Sequence, residues 1–222
     1  MALLQDRERD VLVTHFSRLQ APVRLLVFDE PSGCESCQET HQLVEEIAGL
    51  SDKIETQFVD RVAEPEKATQ YGVDKTPAIV LLRGGVEPRD TGIRFFGIPS
   101  GYEFASLVDD IVTVSRDEPE LAPETLAWLG TLDRPIHLQV FVTPTCPYCP
   151  RAVILAHRLA LASNYVRADM VEATEFPEMA QRYRVFGVPR TVINETVAIE
   201  GAVPESRLLD KLKSALTPAY AS

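Results

Sequence analysis

Four cysteines occur in 222 residues, in two pairs of identical spacing, Cys34-Glu-Ser-Cys37 and Cys146-Pro-Tyr-Cys149. The thiolate is the reactive form of cysteine, and a free thiol ionises near ~8.5. A helix N-terminus aims unpaired N–H groups and the positive end of the helix dipole at such a sulfur, which makes the thiolate available at neutral pH. A two-residue spacer then lets the second sulfur attack a mixed disulfide formed on the first. The expected chemistry is dithiol–disulfide exchange, with Cys34 and Cys146 as nucleophiles and Cys37 and Cys149 as resolving thiols. Four thiolates could instead complete one tetrahedral zinc site. The pairs are 112 residues apart, each inside its own repeat, so no metal is expected.

The repeat is legible along most of the chain. A shift of 112 carries Cys34 onto Cys146, Pro65 onto Pro177, Tyr71 onto Tyr183, Pro77 onto Pro189 and Val80 onto Val192. A shift of 113 aligns Val27-Phe28 with Val140-Phe141, and one of 104 aligns Gly97 with Gly201, so the first copy has about eight more residues before its end. Each copy predicts the same order. Apolar, β-branched runs at 23–28 and 136–142 are strands, and helical spacing follows over 35–50 and 147–162. Strands at 54–60 and 165–171 come next, then short proline-initiated helices at 65–71 and 177–183. Hairpins (77–83 with 91–96, 189–194 with 197–200) and helices over 102–115 and 204–216 close the copies. The expected class is α/β: two tandem units, each a mixed four-stranded sheet flanked by helices. Amphipathic helices over 4–19 and 121–132 precede the copies. The polar stretch Ser115-Arg-Asp-Glu-Pro-Glu120 separates them, giving an N-terminal unit 1–117 and a C-terminal unit 118–222.

A second signal is a proline 43 residues after the first cysteine of each pair, Pro77 and Pro189. A proline at a strand start, at one offset in both copies, predicts a fixed backbone shape beside the sulfurs, and a cis bond is the shape only X–Pro reaches cheaply. The backbone of Thr76 and Val188 would then be free to pair with an extended substrate segment. Tyr148 is expected to lie exposed and touch substrate.

Strand, Cys-x-x-Cys, helix and the later proline resemble the thioredoxin/glutaredoxin superfamily. Two such units, with CPYC inside Phe141-Val-Thr-Pro-Thr-Cys-Pro-Tyr-Cys-Pro150, resemble the protein disulfide oxidoreductases of thermophilic archaea and bacteria. The resemblance spans essentially the whole chain. It implies two thioredoxin folds with both pairs active as reductase, oxidase and isomerase centres. It also implies partners: protein disulfide substrates, a thioredoxin-reductase-like flavoprotein and a peroxiredoxin. The flavin would belong to the partner, since this chain has no Gly-x-Gly-x-x-Gly fingerprint, and no bound cofactor is expected beyond the redox-active Cys34–Cys37 and Cys146–Cys149 disulfides.

Composition narrows the setting. A formal net charge of −11 repels phosphate backbones and anionic lipid surfaces, so neither nucleic acid nor membrane is an expected partner. No apolar run approaches the ~18 residues of a membrane span. Charges where a secretory leader needs an apolar core, and a C-terminal Thr217–Ser222 without a lipidation or retention signal, predict a cytoplasmic protein. Only two Asn and 16 Pro, with Arg far outnumbering Lys, match a thermophile's composition.

The two pairs are not equivalent. Glu35 puts a negative charge beside Cys34, which favours its protonated thiol, whereas Pro147 and Tyr148 bring none, so the Cys146 pair is expected to exchange faster. Asp60 and Glu172 correspond in the repeat at strand ends and are candidates for proton transfer, against a plainer role as solvated loop acids. His15, His41, His137 and His157 are expected to be packed or solvated, and Trp128, Phe95 and Phe96 to be core. Beside a general oxidoreductase stand two alternatives: a dedicated electron carrier feeding one peroxidase, and a non-catalytic binding module on the same scaffold. Two intact Cys-x-x-Cys pairs argue against the last.

Overall fold

The computed structural model describes residues 3–216; the C-terminal 217–222 read above for sorting signals, and residues 1 and 2, lie outside it. The elements run α1 (Asp6–Phe16), β1 (Val23–Asp29), α2 (Cys37–Ala48), β2 (Ile54–Asp60), α3 (Pro65–Tyr71), β3 (Ala78–Arg83), β4 (Arg89–Phe96) and α4 (Glu103–Arg116). The second half repeats them as α5 (Pro123–Leu129), β5 (Ile136–Val142), α6 (Cys149–Ala162), β6 (Val166–Glu172), α7 (Pro177–Arg182), β7 (Arg190–Ile193), β8 (Val197–Glu200) and α8 (Glu205–Leu216). Every expected element is present in order. The helices preceding each copy are shorter than their apolar patterns, although Leu4 and Leu19, beyond the ends of α1, remain buried.

Two expectations are corrected at the cysteines. The helices begin at Cys37 and Cys149, two residues later than read, because Ser36 and Tyr148 are the caps; the Thr40 N–H donates to the Ser36 carbonyl at 2.9 Å as the first helical bond. Pro147 therefore precedes the cap, and Pro150 is the proline inside the first turn of α6.

The two four-stranded sheets are one. Strand order is β2-β1-β3-β4-β6-β5-β7-β8, and the join is a parallel pairing of β4 with β6, from Ile93 opposite Ala168 to Phe96 opposite Val171. Within each half the first strand pairs parallel with the second and antiparallel with the third. The extra residues of the first copy lengthen the β3–β4 hairpin. At the seam, Gly92 (φ +76) has no room for a side chain, since a Cβ there would stand 2.5 Å from the Val166 carbonyl.

Both faces are covered, which is why strand residues of either parity are apolar. On one face Leu25, Val27, Ile79, Leu81, Phe95, Val140 and Met170 join α1, α2, α4, α6 and α8 in a core continuous across the halves. On the other, Leu26, Phe28, Val80, Phe96, Phe141 and Val171 pack beneath α3 and α7. Phe95 and Phe96 are core as expected, and Trp128 packs partly buried against it.

Three of the four histidines have carboxylate partners that the sequence did not reveal: His41 with Asp29, His137 with Asp169, and His157 with Asp110, each at 2.6 Å. Burial works to raise Asp169, but hydrogen bonding and charge from His137 and Arg167 hold it below the ordinary carboxylate range. Asp110 and His157 are both fully buried between α4 and α6, and burial pushes Asp110 up. Beside them, burial pushes Glu103 from an ordinary 4.5 to about 7, against a 2.7 Å hydrogen bond from the Ser106 hydroxyl and the charge of His157.

A carboxyl whose pKa is raised on folding holds a proton that the unfolded chain has lost, so it costs stability as pH climbs from about 4.5 to 7. Glu103→Gln should flatten that decline and be more stable than wild type at pH 8 by about 2 to 3 kcal/mol, with little difference at pH 4.5. Urea unfolding at the two pH values measures it; parallel stability–pH curves would contradict it.

Two disulfide sites on one end of the sheet

Both pairs are disulfides, Cys34–Cys37 and Cys146–Cys149, with Cα atoms 5.5 Å apart in each. Each bond joins the residue at the start of a helix to one in the loop just before it. Both sulfurs therefore sit at a helix N-terminus although the first cysteine is not itself helical. The second cysteine is the more protected: Cys37 is 8% exposed and Cys149 0%, with Cys146 at 7% and Cys34 half-buried.

The loops follow β1 and β5, which run parallel through the chain of pairings β1-β3-β4-β6-β5. The two disulfides consequently lie at the same end of the sheet, four interstrand steps or about 19 Å apart. One tetrahedral ion cannot span that gap. Among the described residues no group of three or more His, Cys, Asp or Glu is placed to hold a metal.

The prolines are where the spacing put them. Thr76-Pro77 and Val188-Pro189 are both cis, and each precedes the strand antiparallel to the one before the cysteines. The Val188 carbonyl oxygen is 3.8 Å from the Cys146 sulfur. The carbonyls of the prolines are held alike, by the N–H of Gly97 on Pro77 at 3.0 Å and of Gly201 on Pro189 at 2.8 Å. Tyr148 is 62% exposed beside its disulfide, as expected.

Asp60 and Glu172 are turn caps. Asp60 accepts the N–H groups of Val62 and Ala63 at 2.8 and 3.0 Å. Glu172, buried, accepts the N–H of Thr174 and Glu175 and the Thr174 hydroxyl. Their shared position in the repeat reflects a shared turn. Asp29 and Glu30, beside the first site, are engaged with His41 and Arg61, and the Arg61 hydrogen bond pulls Glu30 down against the effect of burial. Burial raises Glu103 to about 7; its neighbour Tyr102 donates its N–H to the Pro144 carbonyl at 3.0 Å, so α4 begins against the loop carrying Cys146.

The surroundings differ in charge. The first turn of α2 contains Glu39, and that of α6 contains no acid. The loop before Pro77 carries an Asp74–Lys75 ion pair, with Lys75 over the Phe96 ring at 3.9 Å. At the position equivalent to Asp74 the second loop presents Phe186, 92% exposed. Sequence reading missed Phe186, although setting it against Asp74 under the 112-residue shift would have found it. It also missed Glu175, which reaches the first site from the second half; its counterpart is Ala63, and no repeat pattern marks it.

A thioredoxin-domain family model matches residues 136–214. The chain superposes on the NTD_N/C domain of alkylhydroperoxide reductase AhpF from Enterococcus faecalis with a TM-score of 0.87 and 31% identity, covering 94% of this chain and 99% of that one. A protein disulfide oxidoreductase from Aeropyrum pernix gives the same score and identity over 95% and 93%. The AhpF component of the alkyl hydroperoxide reductase of Pseudomonas putida is 27% identical over 211 residues, 95% of this chain and 37% of its own length. The chain thus spans about a third of the length of the curated relatives it matches. Near-complete coverage at this identity, with two thioredoxin-like units joined through one sheet, places the chain in the protein disulfide oxidoreductase family.

Proposed function

We propose that the chain exchanges disulfides with protein substrates at both sites, the division between its units falling at residues 117 and 118. The observation that carries this reading is the pairing, twice over, of a disulfide at a helix N-terminus with an X–Pro backbone beside it. In the reducing direction the Cys146 thiolate attacks one sulfur of a substrate disulfide, forming a mixed disulfide and expelling the other sulfur as a thiolate that takes up a proton. Cys149, deprotonated, then attacks the Cys146 sulfur; the Cys146–Cys149 bond forms and the substrate leaves as a dithiol. Cys34 and Cys37 have the same two roles. Thr76-Pro77 and Val188-Pro189 flank the docked segment, and Tyr148 contacts it. Two electrons must return to each disulfide, from a flavoprotein of the thioredoxin-reductase kind in a cytoplasmic setting.

A second reading is a dedicated carrier between such a flavoprotein and a peroxiredoxin. It draws on the similarity to the AhpF proteins, of which this chain matches about a third. Reduction of insulin disulfides with dithiothreitol separates the two. The general enzyme accelerates it; Cys146→Ser loses most of the rate, Cys34→Ser less, and the double variant all of it. A wild type no faster than the double variant would remove the general reading and leave the carrier.

Charge orders the two nucleophiles. Glu35 follows Cys34 directly and Glu39 lies in the first turn of α2, whereas the first turn of α6 has no acid, so Cys146 should ionise at lower pH. The pH midpoint of iodoacetamide alkylation, taken in Cys34→Ser and Cys146→Ser proteins, tests this; a lower midpoint for Cys34 would reverse it. Phe186 stands exposed two residues before Val188, whose carbonyl lies 3.8 Å from the Cys146 sulfur. Its replacement as a docking contact in Phe186→Ser should raise KM for insulin by about fivefold with kcat little changed, the loss of roughly 1 kcal/mol of apolar contact. A KM equal to that of wild type would show that the ring is not part of the docking surface.

A further inference from the structure

Glu175 lies in the loop between β6 and α7, in the second half, yet its carboxylate is bound by the first site. One oxygen accepts the hydroxyl of Ser36, the spacer residue that caps α2. The other accepts the N–H of Ile98 at 2.7 Å. Ile98 follows Gly97, whose own N–H holds the Pro77 carbonyl. Glu175 is in turn anchored through its backbone N–H, which donates to Glu172 at 2.7 Å. One side chain therefore ties the Cys-x-x-Cys spacer to the segment after β4 whose Gly97 N–H holds the Pro77 carbonyl.

The contact is built in. Gly97 (φ +89) leaves the space for it, since a Cβ would stand 2.7 Å from the Glu175 Oε1 and 2.7 Å from the Glu172 Cβ. Burial, with Glu172 and Glu39 adding their charge, raises the Glu175 carboxyl, and the hydrogen bonds from Ser36 and Ile98 oppose that. Among the described residues the second site has no equivalent. Ser36 is replaced there by the exposed Tyr148, and Gly201, the counterpart of Gly97, has nothing within 4 Å of the place a Cβ would take.

We propose that Glu175 is a positioning residue for the Cys34–Cys37 couple, holding the spacer from the neighbouring half so that the two sulfurs stay at closing distance. This rests on the reading that the pair cycles between dithiol and disulfide. Closure of a dithiol depends on the effective concentration of one sulfur at the other, and a fixed spacer raises it. Releasing the spacer makes the disulfide easier to reduce.

The test is equilibration of the full chain in glutathione buffers, where dithiol and oxidised glutathione exchange for disulfide and two reduced glutathiones. Acid quenching and mass spectrometry then score each disulfide separately. Glu175→Ala should lower the equilibrium constant for the Cys34–Cys37 bond about fivefold and leave Cys146–Cys149 unchanged. Ser36→Ala should do the same, and the double variant should add nothing further. Glu175→Gln, whose amide still accepts from Ile98 and pairs with the Ser36 hydroxyl, should restore the wild-type value within twofold. Equality of Gln and Ala variants would assign the effect to charge and overturn the proposal. So would an unchanged Cys34–Cys37 constant in Glu175→Ala, or a parallel shift of both disulfides. A Cys34–Cys37 pair that no glutathione ratio oxidises or reduces would remove the redox reading of this site and the proposal with it; the other failures would leave that reading standing.

Discussion

The parallel pairing of β4 with β6 runs over four residues on each strand, and the rest of the molecule hangs on it. It merges two sheets into one and so makes each face a single core. It also requires α4 and α6 to lie against each other over the seam, with Phe95 and Met170 beneath them. Because the strands at the join are parallel, the second half is carried along the sheet without being turned over. That is the reason both cysteine loops open at the same end, each beside its own cis-proline. An antiparallel join would have placed them at opposite ends.

Within that frame the halves differ in the side chains around their disulfides. The first site is set among carboxylates and ion pairs, and a side chain of the other half is bound to its spacer. The second presents Tyr148 and Phe186 to solvent, and its first helical turn carries no acid. Both pairs have the same Cα separation and the same loop-to-helix setting, so what distinguishes the two sites is the charge and exposure of the side chains around them. The buried Asp110–His157 pair and Glu103 lie where α4 of one half meets α6 of the other, so burial and charge compete at the interface between the halves.

How much of this the sequence disclosed follows from the range of the forces involved. The elements, the repeat and the four cysteines were legible because strand and helix patterns, proline at first turns and Cys-x-x-Cys spacing are local. Pro77 and Pro189 were legible because their offset recurs. The helix starts were misplaced by two residues because capping is decided by which carbonyl first accepts a helical bond, and neither Ser36 nor Tyr148 caps its helix with its side chain. Asp60 and Glu172 matched in position, but only their N–H partners reveal them as caps. The seam, the histidine–carboxylate pairs and Glu175 depend on which residues meet across the halves, and periodicity carries no information about that.

The strand order has one more implication. Since β8 is the counterpart of β4 and β2 the counterpart of β6, the outer edges of the sheet are the same two edges that meet at the seam. A head-to-tail join of this kind does not close on itself, and repeated between molecules it would grow into a fibre. The outer edge at β8 is less suited to such growth than the edge at the seam. β8 is only four residues long and ends at an exposed Glu200, where β4 has eight residues and ends in buried Phe95-Phe96. At −11, one molecule also repels the next. β8 is thus a shorter edge than β4, its counterpart at the seam, and offers fewer backbone groups for another strand to pair with.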